Sequence, residues 1–172
     1  MINRARAALT TALASVLSVG AVLTAEPAIA SPESALNACR SNAPAQVTRP
    51  LSIVNSQWST YYGHPNEIWP GDVIRVTASG SIKIGQWPWD PSYDPNGANS
   101  WPDSIYYPAQ NQHKYSLAGI WSNSTNYFAV GRDSGCVVYS GSQKVYLALT
   151  QNDSSPLDNS GKWPIQVRHY WS

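Results

Sequence analysis

The sequence predicts an all-β protein, an antiparallel β-sandwich or jelly roll of about eight strands. Three observations carry that expectation. Short runs alternate apolar and polar residues with period two. Glycine and proline, 11 and 13 of the 172 residues, punctuate the gaps between those runs. Beyond residue 30, no segment repeats apolar positions at helical spacing. A parallel sheet needs crossover helices, and the chain has no stretch to supply them. An apolar strand face must be buried against a second layer, which makes a sandwich the natural closure.

Taken in order, residues 1–30 read as a secretory signal. Arg4 and Arg6 precede a small and apolar run, and Ala28-Ile29-Ala30 has the small-x-small form of a cleavage site. A single domain is then predicted over residues 31–172, in a secreted, extracellular protein. Export places Cys39 and Cys136 in an oxidising compartment, where pairing is favoured. Neither has a second Cys or a suitably spaced His beside it, which argues against a thiolate metal site. A strand is predicted near 51–57. In residues 72–78, Ile74, Val76 and Ala78 share one face and Arg75 and Thr77 the other. Ser81-Ile82-Lys83-Ile84 repeats the pattern after Gly80. Further strands are expected near 115–121, 127–130 and 136–139. Over 144–150, Val145, Leu147 and Leu149 face one way, and over 163–169 Trp163, Ile165 and Val167 do so.

Residues 86–112 break the alternation. They hold Trp87, Trp89, Trp101, Tyr93, Tyr106 and Tyr107 among several prolines. A long irregular loop in a compact domain is uncommon and often functional. Charged residues make up only 12% of the chain, about half the usual ~25%, and the formal net charge is +1. That balance gives no electrostatic footprint for nucleic acid or anionic lipid, and no stop-transfer segment predicts membrane insertion. Asn123-Ser124-Thr125 and Asn152-Asp153-Ser154 match the N-glycosylation acceptor pattern.

The chemistry concentrates after residue 147. A strand runs into a loop carrying Asp153, then Asp158 and Asn159, and a new strand starts past Gly161. Two carboxylates, an amide oxygen and the loop carbonyl of Ser155 or Leu157 form an all-oxygen donor set, which suits calcium better than magnesium or zinc. The same residues also fit two turns closed by Asx-type hydrogen bonds.

Several pieces stand together in order: Pro70-Gly71-Asp72-Val73-Ile74 with Ala78-Ser79-Gly80, Gly85 with Trp87, Pro102-Asp103, and Asn152-Asp153 followed by Asp158-Asn159-Ser160-Gly161. In these the chain from Trp69 onward resembles the PA-IL-like galactophilic bacterial lectins; residues 31–68 have no counterpart. The resemblance implies a galactose-binding-like β-sandwich in which one calcium ion is shared between protein and sugar. It implies as metal ligands the side chains of Asp153, Asp158 and Asn159, the carbonyl of Ile84 and the carbonyl of Ser155 or Leu157. Asp158 stands where the family has Asn, which keeps an oxygen but removes an NH₂ donor. Around the sugar it implies Trp101, in place of the family's His, then Asp103, Ser104 in place of its Gln, and Asp153 and Asp158. The implied partner is a galactoside or a related glycan, with altered preference; assembly into an oligomer is left open.

Two rival readings remain at this stage. A glycoside hydrolase would use Asp153 or Asp158 with a second carboxylate from Asp90, Asp94 or Asp103. A structural or interaction domain would use calcium as a staple and bind no sugar.

Overall fold

The computed structural model describes residues 31–54 and 57–171. The predicted signal segment lies outside the described residues. The fold is an all-β sandwich of two antiparallel sheets. Its elements, in chain order, are α1 (Pro32–Arg40), β1 (Val47–Val54), β2 (Ser59–Tyr62), β3 (Val73–Ala78), β4 (Ser81–Lys83), β5 (Ser92–Tyr93), β6 (Leu117–Trp121), β7 (Phe128–Ala129), β8 (Val137–Val138), β9 (Leu147–Gln151), a 3-10 turn (Pro156–Asp158) and β10 (Ser160–Tyr170).

The first sheet is organised by β10. β1 lies along one edge of it, and β4 and β3 lie end to end along the other, with β5 and β8 outside them. The alternation predicted for β3 and β10 is the one observed. Ile74, Val76 and Ala78 and their partners His169, Val167 and Ile165 all point inward. β3 and β4 are separated by Ser79-Gly80. Pro164 of β10, which has no N–H to give a ladder, stands at that interruption and accepts the Ser79 N–H instead. The second sheet runs β2-β9-β6-β7. Tyr62, Leu147, Leu149, Leu117 and Val130 from this sheet pack with Trp163, Val167, Val76, Ile53 and Ile82 from the first to form the core.

Three expectations are corrected. A helix exists where none was predicted. α1 is only nine residues long, so its apolar signal reduces to Ala35 and Cys39, four apart. Those two residues cover Val73 and Tyr170 on the outer face of the first sheet, and the disulfide Cys39–Cys136 ties the helix down across 97 residues. A bridge closing that span restricts the unfolded chain by about 4–5 kcal/mol in the entropic account. The strand predicted at 51–57 begins earlier, at Val47, and runs through Pro50. Proline is tolerated there because β1 is an edge strand. Among the described residues ten strands form the expected sandwich, two more than the sequence placed, because β2 and the two-residue β5 were not foreseen. Among the described residues no helix is long and apolar enough to cross a membrane.

Candidate functional site

β9 ends, β4 ends and β10 begins at one end of the sandwich, and two of the predicted metal residues, Asp153 and Asn159, meet there. Asp153 is 2% exposed. Its Oδ2 accepts from Asn159 Nδ2 at 2.7 Å and from Gln151 Nε2 at 3.4 Å. Its Oδ1 accepts the Ser155 N–H at 3.0 Å, which closes the turn after β9. Asn159 Oδ1 in turn accepts the Gly85 N–H at 3.3 Å, joining the end of β4 to the same corner. Among the described residues no cationic side chain pairs with Asp153. A buried carboxylate held only by neutral donors costs free energy that a counter-ion would offset.

The second anomaly is beside it. Gln151 is fully buried, and its Oε1 has no hydrogen-bond partner. Leaving such an acceptor unsatisfied costs about 1–3 kcal/mol. Asp153, Asn159 and Gln151 therefore form a buried cluster in which one acceptor oxygen, Gln151 Oε1, has no partner. That is the chemistry of a hard cation such as calcium, and it is the observation that fits the ion to these residues. No group of three or more His, Cys, Asp or Glu converges among the described residues, so amide and carbonyl oxygens would complete any shell.

The other predicted ligands are placed less directly. Ser155 contributes its N–H to Asp153. Leu157 is exposed on the 3-10 turn. Asp158 ends that turn half-buried, and its side chain makes no hydrogen bond or ion pair among the described residues. Ile84 immediately precedes Gly85, so its carbonyl belongs to the peptide whose N–H reaches Asn159. In a trans peptide the C=O and N–H point in opposite directions, so that oxygen aims away from the Asn159 amide. Gly85 has φ +91°, and a Cβ there would collide with the Asp90 carboxylate. Only glycine lets the backbone pass so close.

The long loop is fastened to this corner by Asn152. Its Nδ2 donates to the carbonyls of Ala109, Gln112 and His113, and its Oδ1 accepts the Ala109 N–H. Asn152 is fully buried, so in the folded chain its side chain is an anchor and not an accessible glycan acceptor. Its carbonyl accepts the Tyr115 N–H, and Tyr115 adopts a left-handed backbone, φ +60°. Strain of this kind persists only where the surroundings hold it in place. The Tyr115 ring stacks on Tyr93 at 5.0 Å, and its hydroxyl accepts from Tyr107. Burial first, then the Tyr107 hydroxyl and the charges around it, Asp153 among them, push the Tyr115 phenol well above its ordinary range. It stays a neutral hydrogen-bonding group at physiological pH.

The predicted sugar contacts divide. Asp103 pairs with Lys114 at 2.7 Å, and that hydrogen bond holds its carboxyl below the usual range. Lys114 also lies over the Tyr107 ring. Ser104 organises its own loop, accepting the Tyr106 N–H on its hydroxyl and the Gln110 amide on its carbonyl. Trp101 is exposed and stands edge-on to His113 at 4.8 Å. It lines a cavity of about 440 Å³ with His113, Ser116 and Ser134, and that lining includes none of Asp153, Asp158 or Asn159.

Two aromatics not named from the sequence as sugar contacts follow directly on the end of β4. Trp87 and Trp89 follow Gly85 by two and four residues. They are 62% and 77% exposed, and their rings stack nearly parallel, 5.4 Å apart. Asp90 Oδ2 accepts the Trp87 N–H at 2.7 Å and shapes the turn that presents them. Exposed Trp58, whose carbonyl accepts the Gln151 N–H, is on the same end. The stacked Trp87–Trp89 pair thus leaves large apolar rings in water at this end.

No protein-family model matches the chain, and no curated protein matches it. Among solved structures, the N-terminal domain of EclA, described as a PllA-like lectin, aligns with a TM-score of 0.42 at 20% identity. The alignment covers 65% of this chain and 95% of that one.

Proposed function

We propose that this protein is a secreted, calcium-dependent carbohydrate-binding protein. Its metal would be held at the Asp153 corner, and its glycan, of the galactoside type or a relative of it, would lie against that metal. The observation that carries the reading is the buried Asp153 carboxylate with the unpartnered Gln151 Oε1 beside it. Asp153, Asn159 and Gln151 would hold the ion, with Asp158 and the Ile84 carbonyl as further donors. The calcium supplies open coordination positions that sugar hydroxyls can fill in place of water. The Trp87–Trp89 pair offers flat apolar faces on which the C–H side of a pyranose can rest.

A pair of catalytic carboxylates is disfavoured by where the acids are engaged. Asp94 pairs with Arg132, Asp103 with Lys114, and Asp90 accepts the Trp87 N–H. The signal-like residues 1–30 and the Cys39–Cys136 bridge support export to an oxidising compartment.

Calorimetry against calcium, followed by a glycan panel with and without chelator, tests the proposal. Chelator-sensitive glycan binding that is lost in Asp153→Asn supports it. Stabilisation by calcium with no glycan bound would leave only a metal staple. Turnover of a glycoside would replace binding with hydrolysis. The absence of any calcium effect would remove the metal.

A further inference from the structure

The cavity of about 440 Å³ that Trp101 lines opens on the flank of the sandwich. On one side it meets Leu117 of β6 and Ala129 of β7. On the other it meets Asp133 and Ser134, which run beside β3: Asp133 bridges Thr77, and the Ser134 N–H donates to the Val76 carbonyl. The aromatic loop and the residue after it supply Asn96, Trp101, Gln112 and His113.

The frame of this cavity is fixed in advance. Asn96 Oδ1 accepts the Arg132 N–H at 3.0 Å, and the Asn96 N–H donates to Asp94 Oδ1 at 2.7 Å. Gly131, φ +57°, makes room for that amide, since a Cβ there would stand 2.6 Å from Asn96 Oδ1. Asn152 Nδ2 grips the carbonyls of Gln112 and His113, and Ser116 Oγ donates to the His113 carbonyl at 2.7 Å. A binding site needs its groups positioned by such supporting bonds before the ligand arrives.

The polar ends within the frame are not engaged. Asn96 Nδ2, the Gln112 side-chain amide and the His113 ring nitrogens make no hydrogen bond among the described residues. Trp101 leaves 62% of its surface in water. The charge here is already balanced. Asp133 has both carboxylate oxygens on the Arg75 guanidinium, and no lysine or arginine stands among the described lining residues. The cavity therefore presents neutral donors and acceptors beside one exposed indole.

We infer that this cavity is a second glycan site, one that binds a neutral hexopyranose without calcium. A pyranose has a face of C–H groups and a rim of hydroxyls, each of them both donor and acceptor. The Trp101 ring suits the face. The planar amides of Asn96 and Gln112 and the His113 imidazole suit the rim, because each can donate and accept. The volume lies in the lower part of the range of small-molecule sites, which is appropriate to one ring and its linkage. The site uses none of Asp153, Asp158 or Asn159, so it stands or falls apart from the calcium proposal.

The test is titration of the purified protein, in EDTA throughout, with the methyl glycosides of glucose, galactose, mannose and N-acetylglucosamine. Glucuronate and the open-chain polyol sorbitol serve as comparison ligands, and binding is followed by NMR and calorimetry. At least one of the glycosides should bind with a dissociation constant of about 1–10 mM, the scale of a single ring held without a metal. It should shift the indole N–H signal that is missing from the spectrum of Trp101→Ala. Affinity should fall about 5–10-fold in Trp101→Ala and about 3–10-fold in Gln112→Ala, and stay within about 3-fold of the parent in Trp101→Phe, which keeps a flat ring. Trp101 is exposed and Gln112 half-buried, so the variants should keep the native circular dichroism spectrum. Absence of binding in EDTA overturns the assignment, as does binding that survives undiminished in Trp101→Ala. Tighter binding of glucuronate overturns the neutral class, and equal binding of sorbitol overturns recognition of a ring.

Discussion

Asp72 and Asp153 are buried almost equally, at 1% and 2% exposed, at opposite ends of the same sandwich. Their surroundings differ. Asp72 has a histidine on one of its oxygens and a backbone N–H besides, and the chain continues to Tyr62. Asp153 has two amides and a turn N–H, and beside it a buried amide oxygen bonds nothing. The first network is closed within the protein and can be understood as architecture. The second leaves a buried acceptor without a partner, and it is there that the proposed calcium would sit. Burial alone does not separate a structural acid from a ligand-binding one; the completeness of its partners does.

The largest effect is therefore expected at the closed end. Asp72→Ala strands His169 and the Trp69 N–H in the interior, and a loss of about 3–5 kcal/mol is expected from urea denaturation, the same in calcium and in EDTA. Asp153→Asn, at equal burial, should shift stability in EDTA by less than about 1 kcal/mol in either direction, because it removes a charge that has no counter-charge. A large EDTA-insensitive loss in Asp153→Asn would make the two ends alike and remove the argument for a cation.

Next comes the ion itself. At free calcium about 100-fold above its dissociation constant, unfolding should become harder by about 2.7 kcal/mol, and Asp153→Asn should abolish that gain. Calcium should also move the Gly85 amide signal in an NMR titration, since the Ile84-Gly85 peptide now turns its N–H toward Asn159 and would have to turn its carbonyl there to join the shell. An unperturbed Gly85 would drop Ile84 from the ligand set.

How much of this could be read in the sequence follows from the range of each signal. β3 and β10 were legible because a half-buried strand writes its geometry as period two, whereas β9 is buried along its whole length and was legible from its apolar residues. Asp153 and Asn159 were legible as oxygen donors on a short loop. Gln151 was missed although its signal was present: it continues the inward series Val145, Leu147, Leu149 by one more step, and a polar residue at a core position needs a reason. Trp87 and Trp89 were named in the aromatic loop, and Trp87 also beside Gly85 in the resemblance, but not as a sugar contact, because exposure is decided by the turn that Asp90 closes. The grip of Asn152 on residues 109–113 spans some forty positions and leaves no local pattern.

The aromatic pair gives a smaller and more selective effect. Trp87→Ala or Trp89→Ala should weaken glycan binding about 3–10-fold, the scale of an aromatic contact, and leave the calcium stabilisation unchanged. Loss of the calcium effect in these variants would mean that the pair holds the loop rather than the sugar.

A third carboxylate calibrates the comparison. Asp133 accepts the Arg75 Nε at 2.9 Å and a second guanidinium nitrogen at 2.5 Å, and the same arginine reaches Asn42 beyond α1. This pair is complete like that of Asp72 but half in water. The hydrogen bond from Arg75 holds the Asp133 carboxyl below the ordinary range, against a smaller opposing effect of burial. A carboxyl depressed in the folded state contributes stability above its unfolded value near ~3.9, and that contribution is lost as pH falls through the depressed folded value. Solvent screening keeps it small, so Asp133→Asn should cost no more than about 1 kcal/mol at pH 7, and less in high salt. The gap between variant and parent urea midpoints should narrow as the pH is lowered below about 4. If it persists there, packing rather than charge holds this contact. If instead it matches the loss in Asp72→Ala, burial was the wrong scale on which to rank the three acids.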